Sequence, residues 1–162
     1  MKEILFKAKR KDNNEWIQGS LLVLDAGSYK IATSCLVGDV ENILTVCAYD
    51  VDPDTICRYT GLTDKNDNKI WENDLLMFHS NKNDLAKASY GEFYVVNMEN
   101  LEKIDSVIGW HYEVIETDAI SKCEPFNISM PLTNDYIKIC ELEVISNIFD
   151  NKELLEGGET DE

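Results

Sequence analysis

In the stretch YTGLTDKNDNKIWENDLL, Tyr59 to Leu76, side-chain oxygens recur at Asp64, Asn66 and Asn68, and Glu72 and Asp74 follow closely. Alternating Asp and Asn is how a calcium loop presents its ligands, but such a loop also needs glycine at position 6 and a bidentate glutamate at position 12. Counted from Asp64, those places hold Lys69 and Leu75, so a cation stands beside the supposed ion and its bidentate ligand is missing. The same residues suit a hairpin better. Asn and Asp tolerate the left-handed conformation and bond their own backbone, so DKNDN can close a turn without a metal. Asn73 is expected at positive φ before a strand Leu75–Phe78, with Asp74 holding that turn through nearby backbone N–H groups. Ile70, Leu75 and Met77 are expected to bury on one side of the strand pair. Glu72 and Asp74, two apart on a strand, share a face and suit acid–base work, but no histidine or arginine adjoins them.

The remaining chemistry-bearing residues are scattered. Cys35, Cys47, Cys57, Cys123 and Cys140 contain no CxxC pair, which removes zinc-ribbon and thioredoxin-type readings. Their odd number and wide spacing fit reduced thiols packed as small hydrophobes. A thiol nucleophile would need His79 or His111 beside one of them, and nothing local brings that about. His111, in GWHYEVI, reads as an exposed or partly buried strand residue with Trp110 and Tyr112 on the opposite face. Arg58, near the acidic DVDPD, suits a structural ion pair. No phosphate-binding glycine loop, HExxH or GxSxG occurs. No catalytic, cofactor-binding or metal-ligating residue is assigned, and the protein is expected not to be an enzyme.

The elements that must position these residues are strands. EILFKAKR, WIQGSLLVLD, YKIATSCLV and ILTVCAYDV alternate or are rich in branched and aromatic residues, with the turn clusters KDNNE, AGS and GDVEN between them. Pro53 closes the fourth. NKNDLAKASYG reads as an exposed loop with at most one helical turn, EFYVVNM and GWHYEVIET as strands, and SKCEPFNISMPLTND as an irregular excursion. YIKICELEVISNIF reads as a strand pair or one bent strand, and DNKELLE as a helical turn. No long helical periodicity appears, so the chain is expected to be mainly β, with an α+β arrangement as the alternative.

Fifteen basic against 31 acidic residues give a net charge of −16. The imbalance is uneven, −4 over residues 1–81 and −12 over residues 82–162. Such a surface repels phosphates and argues against direct nucleic-acid binding, whose affinity comes largely from lysine and arginine. The N-terminus has no continuous apolar segment and no apolar run approaches a membrane span, so neither signal peptide nor membrane helix is expected.

Three blocks resemble the YopX family of bacteriophage and prophage proteins. They are ILFKAKRKDNNEWIQGSL near the start, VDPDTICRYTGLTDKNDNKIWENDLL from Val51 to Leu76, and LEVISNIFDNKELLE from Leu142 to Glu156. The middle block is the most specific, and within it Tyr59, Thr60, Gly61, Leu62, Asp64, Asn68, Trp71, Glu72, Asn73 and Asp74 make up the family and turn motif. The family usually has glycine where this chain has Asn68, Asn73 and Ser146. Asparagine keeps a positive-φ backbone available at the first two, whereas serine puts a glycine-dependent bulge in doubt. The resemblance implies a phage-derived, mainly β protein of uncharacterised role, and it brings no catalytic residues or cofactor. The layout suggests a small SH3-like barrel, or β-rich subdomains at about 1–80 and 85–156 within one domain spanning 1–156. A last long strand Tyr136–Phe149 would pair with the N-terminal strands, and 157–162 would form a disordered acidic tail. The expected role is a non-enzymatic accessory module in the cytoplasm of the bacterial host, without membrane or direct nucleic-acid partners. It would act through contacts with its own copies or a host protein; an acidic inhibitor imitating DNA is the alternative.

Overall fold

Short alternating segments joined by Asn- and Asp-rich turns form eleven strands and one α-helix among the described residues. The computed structural model describes residues 4–36, 44–97 and 99–155; the expected GDVEN turn and the acidic tail lie outside them. The chain divides into two compact units, 1–61 and 62–162.

The first unit contains β1 (Phe6–Lys9), β2 (Trp16–Leu24), β3 (Ser28–Leu36), β4 (Leu44–Asp50) and the start of β5 (Cys57–Thr63), in the spatial order β4-β3-β2-β1-β5. The KDNN cluster turns β1 into β2 with Asn14 at φ +61°, a conformation asparagine tolerates. Ala8, Ile31 and Val51 are buried at the centre, and Phe6, Ile17, Leu21, Tyr29 and Ile56 pack against them. Gly19 permits this packing. A Cβ there would stand 2.1 Å from the Ala32 carbonyl oxygen, a backbone atom that cannot swing aside. Gly19→Ala is therefore expected to destabilise the protein by about 2–3 kcal/mol through overpacking, read as a lower urea midpoint with an unchanged m-value.

Cys35 and Cys47 form a disulfide with their Cα atoms 6.0 Å apart, which corrects the expectation of reduced thiols for that pair. The register explains it: Cys35 faces Thr45 and Cys47 faces Thr33, so the two cysteines are diagonal neighbours across the β3–β4 ladder. Cys57, Cys123 and Cys140 lie outside this disulfide, the first and last of them buried.

The second unit begins with the end of β5 and adds β6 (Lys69–Trp71), β7 (Asp74–Met77), β8 (Leu85–Val96), β9 (Lys103–Ile115), β10 (Met130–Pro131), α1 (Asn134–Ile139) and β11 (Glu143–Asn147). A single 3-10 turn, Lys152–Leu155, realises the expected C-terminal helical turn. Its five-stranded sheet runs β10-β9-β8-β7-β11. Alternation along β7 divides the interior: Leu76 joins Ile70, Phe78, Ala88, Tyr112 and Leu142, while Leu75 joins Leu85 and Ile115. Met77 packs with Leu75 as expected, but Ile70 belongs to the other cluster.

Three expectations are corrected here. The described residues form open sheets and no closed barrel, so the SH3-like barrel is not formed among them. LAKASYG is the start of β8, not an exposed loop: Ala86 and Ala88 are buried against the core, and tertiary packing decides the conformation of a tract without strong local signals. Tyr136–Phe149 is not one strand either. Thr133 accepts from the Tyr136 N–H and caps α1, Glu141 turns the chain at φ +49°, and β11 pairs with β7.

Candidate functional site

Two of the three sequence blocks meet in the second unit, through Asp64. Its Oδ1 accepts from the N–H groups of Asn66 (2.8 Å) and Asn68 (2.9 Å). Oδ2 accepts from Asn68 Nδ2 (3.1 Å) and from the distant Val144 N–H (3.0 Å). Burial on its own raises the Asp64 carboxyl; the bonds from Val144, Asn68 and Asn66 outweigh it and hold it below the usual carboxylate range. Both oxygens are thus directed to protein donors, with Lys65 bonding the Leu142 carbonyl through its N–H and Glu143 through its ammonium at 2.7 Å. The left-handed residue of this turn is Asp67 (φ +64°) rather than the expected Asn68, whose backbone and side chain instead serve Asp64.

The second half of the motif behaves as read. Asn73 has φ +66°, and Asp74, fully buried, accepts from the Trp71 N–H at 2.8 Å. The Asn73 N–H donates to Ala88 and its carbonyl accepts from Ile148, so this turn joins β8 and the C-terminal block. Trp71 is buried and Glu72 half-buried. Asp74 is held inward as a turn ligand by the Trp71 N–H. Tyr59, Thr60 and Gly61 lie on β5 in the first unit, Thr60 buried and Gly61 at φ +83°, while Leu62 packs on the core of the second. Ser146 shows that the β11 bulge needs no glycine: the register shifts between Val144 and Ser146 without a positive φ.

Sequence reasoning missed two constellations, both assembled by long-range pairing. Beside α1, a cavity of about 360 Å³ is lined by His79, Asp84, Tyr136 and Cys140, and the His79 N–H donates to the Cys140 carbonyl. Burial pushes the Cys140 thiol up, however, which suppresses the thiolate a nucleophile needs. Tyr112 donates to the Tyr136 hydroxyl at 2.9 Å, and burial followed by that bond pushes its phenol far up.

The second constellation is a groove of about 460 Å³ between the β8–β9 hairpin and residues 124–129. On its floor His111 is buried, not exposed or half-buried as expected, and its ring stacks on Phe93 at 4.8 Å between centroids. Gly91 faces Gly109 across the ladder, and a Cβ at either would be in ordinary contact, 3.8 Å from the His111 ring and from the Phe93 ring respectively. His111 Nδ1 lies 3.2 Å from the Gly109 carbonyl, and Nε2 lies 3.6 Å from Glu113 Oε1. Burial alone raises the Glu113 carboxyl; Lys87, 2.8 Å from Oε2, and Ser89 donate to it and hold it below its usual range. Lys103 covers the Tyr94 ring at 3.6 Å. The lower sequence signal was the odd-numbered Lys87, Ser89, Phe93, His111 and Glu113, which share one face only once the β8–β9 register is known.

A mainly β architecture of two sheets, with a turn motif locking β7 to β11, defines the class of protein. The chain belongs to the YopX family: the family model described as YopX protein matches residues 5–156. In fold it is similar to the crystal structure of protein EF1440 from Enterococcus faecalis, with a TM-score of 0.52, 19% identity, and 96% of this chain and 99% of that chain covered. No curated protein matches the sequence. Among the described residues no helix is long and apolar enough to cross a membrane.

Proposed function

We propose that the protein is a phage- or prophage-derived accessory protein of the bacterial cytoplasm that works through protein contacts, chiefly with its own copies, and not as an enzyme. The observation that carries this reading is the β8–β9 ribbon. β7 pairs with β8 only over Leu85–Lys87, and β10 pairs with β9 only at His111 and Tyr112. Beyond those contacts, Gly91–Val96 and Lys103–Gly109 pair with each other and have no further strand neighbour among the described residues. The ribbon also exposes apolar side chains: Tyr94 at 49%, Ile104 at 66% and Ile108 at 73%. Open strand edges carrying apolar side chains are templates for pairing with another chain. A second copy offers the same edge and permits a closed two-fold assembly.

The −12 charge of residues 82–162 favours a second reading, an acidic surface that occupies the basic groove of a host DNA-binding protein. Salt separates the two. Copies that each carry −16 repel, so screening strengthens self-association, whereas attraction to a basic partner weakens as salt rises. Size-exclusion chromatography with light scattering at about 50 mM and 500 mM salt, roughly 14 Å falling to 4 Å in screening length, is expected to show more oligomer at the higher salt. A monomer at both salts, with salt-sensitive capture of a basic host protein, would favour the second reading.

A further inference from the structure

The cavity of about 360 Å³ beside α1 combines aromatic walls with one fixed carboxylate. Phe78 stands edge-on to Tyr112 at 5.0 Å between centroids, and Tyr136 is tilted from Tyr112 at 5.6 Å, so the three rings line it at different angles. The hydrogen bond between the Tyr112 and Tyr136 hydroxyls, 2.9 Å long, fixes two of those walls. Phe126, 62% exposed, adds a fourth ring that also faces solvent. Asp84 supplies the charge, and among the described residues no lysine or arginine lines the cavity. Its backbone is pinned: the Phe78 N–H donates to the Asp84 carbonyl at 3.0 Å, and the Asp84 N–H donates to the Asn81 carbonyl at 3.0 Å. Within that turn His79 and Ser80 take positive φ, +48° and +56°, which residues other than glycine hold only where the surrounding structure imposes it. Burial pushes the Asp84 carboxyl up, neighbouring His79 draws it down and Asp118 raises it again; no hydrogen bond from the described residues offsets the burial.

We propose that this cavity binds an alkylated ammonium group, held among the Tyr112, Tyr136 and Phe126 rings with its charge compensating Asp84. Aromatic rings attract cations, and rings grouped around a pocket are how quaternary ammonium groups are recognised. A primary ammonium carries three N–H donors and a tight water shell, which one carboxylate and two phenols already bonded to each other do not replace. An alkylated one presents methyl groups to the rings and needs only a nearby negative charge. A neutral apolar guest fills the same space but leaves Asp84 uncompensated. His79 is exposed and is the one basic side chain among the described lining residues. The assignment does not depend on its protonation: a neutral ring leaves Asp84 to the guest, and a charged one competes for it. No residue of the ribbon segments 91–96 and 103–109 lines the cavity, so this site and self-association can fail separately.

The test titrates the full-length protein with choline, with ethanolamine, its unmethylated counterpart, and with 3,3-dimethyl-1-butanol, its uncharged carbon isostere, following amide signals by two-dimensional NMR. Saturable shifts centred on His79, Asp84 and Tyr136 are expected with choline, which binds about fivefold or more tighter than either comparison compound. Asp84→Asn keeps the side-chain shape and is expected to weaken choline about tenfold while leaving dimethylbutanol unchanged. Phe126→Ala, at an exposed position, is expected to weaken choline about threefold. His79→Gln is expected to bind choline at least as tightly as the parent. The blocked amino acid N-acetyl-trimethyllysine methylamide separates the sources: tighter binding than choline points to a modified protein side chain, and weaker binding to a free small molecule. Choline that binds no tighter than dimethylbutanol or ethanolamine, that is unaffected by Asp84→Asn, or that is lost in His79→Gln would overturn the proposal. The comparison of the three compounds uses the parent protein alone, so it decides the matter even if a variant fails to fold.

Discussion

Asp64→Ala is expected to lower the unfolding free energy by about 3 kcal/mol, within the range for buried donors left without an acceptor. The magnitude follows from position. One carboxylate, 4% exposed, collects the N–H groups of Asn66, Asn68 and Val144 and the amide of Asn68. Its removal strands donors in the turn and on β11 at once. Asp64→Asn retains one acceptor oxygen and should lose about half as much. The carboxyl sits below its usual range when folded, so it stabilises the protein above about pH 3.9, the ordinary aspartate value, and that contribution disappears as pH falls through the folded value. Urea midpoints measured from pH 7 to pH 3 should therefore fall more steeply for the parent than for Asp64→Asn. Equal slopes would remove Asp64 from its role as the clasp of the fold.

Leu76→Ala is expected to cost about 3 kcal/mol, by loss of transferred apolar surface and by the cavity left behind. Leu76 is fully buried and lies between Ala86 on β8 and Val144 on β11 in the two ladders that meet at β7. Hydrogen-bonded strands on both sides limit how far the site can collapse, which keeps the cost near the middle of the range for such truncations. Alternation along β7 keeps this cluster separate from the one around Leu75, and the loss should be a drop in midpoint at unchanged m-value. A loss under about 1 kcal/mol would show that the site relaxes and that the cluster is not tightly packed.

Both effects explain why the Tyr59–Leu76 stretch is the most specific block of the chain. Its turn chemistry was legible. Asn73 took the left-handed conformation before β7, and Asp74 turned inward to the Trp71 N–H, because short polar side chains and φ preferences are local properties. The one-residue shift from Asn68 to Asp67 is also local, since both tolerate positive φ and only the pull of Asp64 on Asn68 decides between them. What could not be read was anything set by register or long-range closure. The Asp64–Val144 bond spans 80 residues. Cys35 and Cys47 meet only because β3 and β4 pair in one register. Tyr136–Ile139 forms a helix instead of a strand because Thr133 caps it, and Leu85–Gly91 forms a strand because β9 lies beside it. The groove was hidden for the same reason: Ser89 and His111, 22 positions apart in the sequence, face each other across the β8–β9 ladder.

The claim that the protein acts by joining copies through the β8–β9 ribbon is tested most directly by sedimentation velocity of the parent and of Ile108→Lys at high salt and tens of micromolar protein. Ile108 is 73% exposed on the ribbon and lies outside the buried clusters, so the substitution should leave the thermal midpoint within about 2 °C, as expected for a surface change. The account predicts an oligomer for the parent and a monomer for the variant. A parent that sediments strictly as a monomer, or a variant that associates as strongly as the parent, would contradict it.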